Sequence, residues 1–148
     1  MHRRRLLRGL AGATAVGVSG CLQTDPLVVH YEDGLEAFRR GRDTEDEAEG
    51  LTRPYDNPLA AERFDEAALA YGEAATSFER AEELAETAKL SEYTEEAKLR
   101  ALGEREEMLA AARGDGSGAQ NAESAAQQHS VATLATVKQA TQTDGFLF

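Results

Sequence analysis

The one thiol in this 148-residue chain is Cys21, which follows Val18-Ser19-Gly20 at the close of an uncharged stretch that begins at Gly9. A thiolate is nucleophilic enough to take a lipid as a thioether, and the two small residues before it leave the backbone open to a peptidase. Ahead of the stretch stand Arg3 and Arg4, followed by Arg5, Leu6, Leu7 and Arg8. The order makes Cys21 a candidate lipid-attachment site with Val18, Ser19 and Gly20 before it, and places Arg3 and Arg4 where a signal peptide carries its positive charge. Gly9 to Val18 is about half the ~20 apolar residues that span a bilayer, so it is expected to be the apolar part of a signal peptide and not a transmembrane helix. Inside a domain a lone cysteine would read as a small buried hydrophobe; its place after an apolar run is what favours anchoring.

Other chemistry is thin. His30 and His129 are the histidines beyond Cys21, and neither stands at ligand spacing from another His or Cys, so each is expected to be a helix residue and no metal site is expected. Asp43, Glu45, Asp46, Glu47 and Glu49 crowd into "DTEDEAE", yet the run lacks the alternating oxygen ligands and central glycine of a calcium loop and reads as a solvated face. Pairs such as Glu82 and Glu86 are uninformative without burial. Gly114, Gly116 and Ala119 fit the spacing of a dinucleotide-binding turn, but no strand precedes them, so a plain loop is expected. There is no phosphate-binding loop, nucleophile elbow or tryptophan. Neither enzymatic activity nor a cofactor is expected.

Charge divides by region. Removing Arg3, Arg4, Arg5 and Arg8 from the 16 basic residues leaves 12 against 27 acids, a formal charge of −15 where the whole chain has −11. Nucleic-acid binding is excluded on that balance, because a phosphate-binding face needs clustered cations. Only Lys89, Lys98 and Lys138 are lysine, and an acidic, lysine-poor surface resembles the proteins of extremely halophilic archaea. Val18-Ser19-Gly20-Cys21 looks like a lipobox. With Arg3 and Arg4 it makes residues 1–21 resemble the signal peptides of haloarchaeal lipoproteins exported by the twin-arginine route. That resemblance implies cleavage after Gly20, diacyl-type lipidation of Cys21, passage through the twin-arginine translocase already folded, processing by a signal peptidase, and residence on the outer face of the cell membrane. With Cys21 lipidated, the rest of the chain has no cysteine for a disulfide.

The elements behind this segment are helical. The division expected is 1–20 signal peptide, 21–25 lipidated cysteine and tether, and 26–148 helical domain. Asp25 and Pro26 open a first helix with Leu27, Tyr31, Leu35 and Phe38 on one face, and Arg39-Arg40-Gly41 are expected to close it. Asn57 and Pro58 open a long second helix, about 58 to 89. Phe64, Tyr71 and Phe78 lie seven apart, and Ala67, Ala74 and Ala81 follow each by three. This is a heptad seam of rings and alanines, for helix packing or for a partner. Gly72 allows a kink there. Ser91 is expected to cap a third helix running to about Arg113, with Glu96 and Arg100 as a supporting pair. A fourth, about 119 to 141, has Ala122, Ala126, Val131, Leu134 and Val137 as its apolar face, and Phe146-Leu147-Phe148 close the chain. The stretch around Tyr71 resembles a tetratricopeptide repeat only in its Ala and aromatic spacing, without the break or second copy that family needs. The fold expected is all-α, a three- to four-helix antiparallel bundle with one long heptad-patterned helix. The role expected is a membrane-anchored, non-enzymatic protein that holds a partner or assembly. The alternative is a small solute-binding accessory lipoprotein of a transporter.

Overall fold

The computed structural model describes residues 25–51 and 58–146. Among them every regular element is a helix: α1 Pro26–Leu51, α2 Pro58–Glu83, α3 Ala88–Ala112, α4 Gly116–Ala126 and α5 Leu134–Phe146. α1 packs on α2, α2 on α3 and α4 on α3, while α5 rests against both α1 and α3. The result is an all-α bundle of five helices, three long and two short.

α1 begins where its sequence says it should. The Asp25 carboxylate accepts the Leu27 N–H at 2.8 Å, and Pro26 takes the first helical position, where a missing N–H costs nothing. The end expected at Gly41 is not observed: α1 runs ten residues further, to Leu51. Tertiary packing overrides the local stop signal. A Cβ on Gly41 would lie 2.8 Å from the Tyr71 ring, and one on Gly34 would lie 2.5 Å from that of Phe78. These glycines are notches on one helix face, seven residues apart like the rings they receive. Each costs about 1 kcal/mol of helix propensity, which burial of a ring at roughly 2 to 3 kcal/mol offsets. The two contacts fix α1 antiparallel to α2, a register that sets Ala48 opposite Phe64. Tyr31 meets Phe78 at 5.0 Å between centroids, and Phe38 meets Tyr71 edge-on at 5.2 Å.

α2 is a continuous helix through Gly72 but ends at Glu83, earlier than expected. Residues 84–87 make the turn into α3, and the cap is Thr87, whose hydroxyl accepts the Leu90 N–H at 3.2 Å. Ser91 therefore lies inside α3 and caps nothing. α3 ends in a Schellman arrangement: Gly114 adopts φ 73°, its N–H reaches the Ala111 carbonyl at 3.0 Å, and that of Asp115 reaches Ala110 at 2.9 Å. Asp115 then caps α4 through the Gly118 N–H at 2.9 Å.

The single helix expected over 119–141 is two helices, broken at 127–133. The break is held from outside. The Tyr31 hydroxyl donates to the Ala132 carbonyl at 2.7 Å, and the Arg100 guanidinium to that of His129 at 3.1 Å. Thr133 restarts the chain by accepting the Thr136 N–H at 3.2 Å. His129, expected in a helix, lies in this connection with its Nδ1 2.8 Å from Glu96. Since Glu96 is engaged there, Arg100 pairs forward with Glu104 at 2.8 Å and not back to Glu96.

Candidate functional site

Arg3, Arg4, Val18, Ser19, Gly20 and Cys21 lie outside the described residues, as do Asn57, Leu147 and Phe148. Among the described residues no helix is long and apolar enough to cross a membrane. The ring-and-alanine seam lies within the described residues and is turned inward: Phe64 is 8 % exposed, while Ala67, Tyr71, Ala74, Phe78 and Ala81 are fully buried. Its surfaces are occupied by neighbouring helices of the same chain.

The seam instead positions a cluster of acids. Four of the five acids in 43–49 face water, as a solvated run should, but Glu45 is half-buried, and the Tyr71 hydroxyl donates to it at 2.9 Å. From α3 come Glu104, 6 % exposed, and Glu107. One carboxylate oxygen from each of Glu45, Glu104 and Glu107 lies within 4.8 Å of the others. Burial raises the Glu45 carboxyl from its ordinary 4.5 to about 7, the nearby charges of Glu104, Glu49 and Asp46 add to the rise, and the Tyr71 hydrogen bond opposes it. Burial, then the hydrogen bond and charge of Glu104, raise Glu107 to about 8. Burial beside the Glu45 carboxylate likewise pushes the Tyr71 phenol upward. Arg100 neutralises one carboxylate of three, so the cluster holds protons near neutral pH; once ionised, its oxygens could hold a cation. Values near 7 are also what proton-transfer sites use, but these three acids line none of the clefts below.

The described residues form surface clefts. One of about 520 Å³ lies between α1 and the 131–134 connection, with Arg39, Arg42 and Arg100 on its walls. A second, of about 540 Å³, runs between the outer faces of α2 and α3 over Gly72, flanked by Leu69 and Leu102. A third, of about 270 Å³, sits at the end of the bundle where Asp25, Leu84, Thr87 and Thr141 meet. No protein-family model, curated protein or solved structure matches the chain.

Sequence reasoning missed the carboxyl cluster although a signal existed. Glu45 continues the stripe Gly34, Phe38, Gly41 toward Ala48, and Glu104 falls between Ala101 and Met108, so both occupy positions where a helix of this pattern turns toward its neighbours.

Proposed function

We propose that this chain is a membrane-anchored extracytoplasmic helical lipoprotein that holds a protein partner and has no catalytic role. The observation that carries this reading is an order of parts: paired Arg3 and Arg4, an apolar run, Val18-Ser19-Gly20-Cys21, and then a folded bundle whose first helix is capped at Asp25. Only Leu22, Gln23 and Thr24 separate the thiol from that cap, so a lipid on Cys21 would hold the bundle within roughly 15 Å of the bilayer surface. Because the heptad seam is buried, the partner meets an outer face. Support for the α2–α3 groove comes from Leu69, 70 % exposed, and Leu102, 37 % exposed, which flank one channel with Glu73, Glu79, Lys98 and Arg105 at its rim. Apolar anchors ringed by charge suit protein contact.

The deciding experiment is Cys21→Ser in the full chain. The variant is expected to move from the membrane pellet to the soluble fraction after a salt wash, because two alkyl chains hold a protein to a bilayer far more firmly than a peptide tether. Retention in the pellet at the wild-type level would overturn the anchor. A second reading, capture of a small solute, is favoured by one observation, the arginine-bearing cleft on α1.

A further inference from the structure

We propose that the cleft between α1 and the 131–134 connection binds a small organic monoanion, a carboxylate carried on an apolar body. The proposal concerns this cleft alone and does not depend on lipid anchoring or on a partner at the α2–α3 groove.

Beyond Arg8 the chain has 12 basic residues against 27 acids, yet Arg39, Arg42 and Arg100 converge on this one cleft. Neither Arg39 nor Arg42 forms an ion pair with another described residue. Arg42 lies over the Phe38 ring at 5.3 Å, a stacking contact that fixes a guanidinium while leaving its donors open. A planar guanidinium presents paired N–H groups that match the two oxygens of a carboxylate.

The remaining lining sets the ligand's body and its charge. Leu35, Phe38, Val131 and Leu134 give apolar walls, and about 520 Å³ falls within the roughly 300–1,000 Å³ of small-molecule sites. Glu32 and Glu36 also line the cleft, and Arg100 is already paired with Glu104, so Arg39 and Arg42 are the cations left to meet a ligand beside two carboxylates. With those two carboxylates in the lining, a ligand carrying one negative charge meets less repulsion than a phosphate or nucleotide carrying two or more.

The far wall is already fixed. Tyr31 holds Ala132 at 2.7 Å, and Arg100 holds His129 at 3.1 Å, tying the 127–133 connection to α1 and α3. A ligand would thus meet a preformed site and spend little on ordering it. The same bonds account for why a chain of helix-forming composition is broken here: the break opens the cleft.

The test uses the full chain in detergent micelles and molar salt, titrated with benzoate, with neutral benzyl alcohol and with inorganic phosphate, by ligand-observed NMR and thermal melts. Benzoate is expected to saturate at one site and raise the melting temperature, while benzyl alcohol and phosphate do neither. Arg39→Gln with Arg42→Gln, both at exposed positions, should lower the ligand-free melt by only a few degrees, through loss of the Arg42–Phe38 stacking, and weaken benzoate about tenfold or more. Val131→Trp, which fills the cleft without removing a charge, should abolish binding. The proposal is overturned if benzoate does not saturate, if phosphate binds as well as benzoate, or if the double variant binds benzoate with wild-type affinity.

Discussion

Raising the pH should loosen this bundle, and the carboxyl cluster sets how far. In the folded chain Glu45 keeps its proton to about pH 7 and Glu107 to about pH 8, where an unburied glutamate releases it near 4.5. Between those values the folded state binds more protons than the unfolded chain, so stability falls with rising pH. The contribution is complete below about pH 4.5, drains as pH climbs through 7 and 8, and is gone above. Each tenfold change in proton affinity is worth about 1.4 kcal/mol, which would put the cost of ionising both near 8 kcal/mol in a site closed to water. Glu45 and Glu107 are only partly buried, and screening by nearby water removes more than half of that. About 3 kcal/mol remains, or roughly 10 °C in melting temperature for a domain of this size. The assay is circular dichroism melting from about pH 5 to about pH 9 in constant molar salt, for the wild type and Glu45→Gln. Glutamine keeps the shape and can still accept from Tyr71, but it cannot ionise, so with Glu107 still titrating the variant's melting temperature should vary with pH about half as steeply. A wild-type melt that is flat or rising between about pH 6 and 9, or an equally steep variant, would refute the reasoning.

Leucine at Ala74, which is fully buried against neighbouring helices, should overpack the bundle at about 1 to 3 kcal/mol; a lower melting temperature with unchanged sedimentation is expected, and altered assembly without a change in melting would move the seam to an outer interface. Gly41→Ala removes a helix-propensity cost but places a methyl 2.8 Å from Tyr71, so it should destabilise by about 1 to 3 kcal/mol where an exposed Gly50→Ala stabilises by up to about 1. A chain with 27 acids and a formal charge of −11 should lose helicity on dialysis from molar salt to dilute buffer, as the screening length grows from about 3 to about 10 Å or more; an unchanged spectrum would remove the halophilic reading.

The helical class and the α2 seam were legible because rings every seven residues leave few other structures that bury them. α1 was half-legible. Arg39-Arg40-Gly41 carries every local mark of a helix end, and only the rings of α2, met across the fold, explain why a glycine there belongs to a helix interior. The 127–133 break was invisible for the same reason: Ala and Gln around it favour a helix, and the groups that hold it open, Tyr31 and Arg100, lie 101 and 29 residues from the carbonyls they bind. Glu45 was hidden by its company, since four exposed acids around it read as one solvated face. Arg3, Arg4 and Cys21 were the reverse case: the proposed signal rests on order and spacing along the chain alone.

Thirteen of the 23 buried apolar side chains among the described residues are alanine, and this gives the interior a one-sided tolerance to change. In a core of leucines most substitutions remove volume and open cavities, and neighbours relax to fill them. At these thirteen alanines almost every replacement adds atoms, so its cost is paid in displaced helices. Helix spacing and substitution are therefore coupled: a larger residue at one contact is tolerated when a ring or methyl across from it shrinks. Drift in such a chain should proceed by compensating pairs spanning α1 and α2, such as positions 34 with 78 and 41 with 71, while its exposed acids change freely.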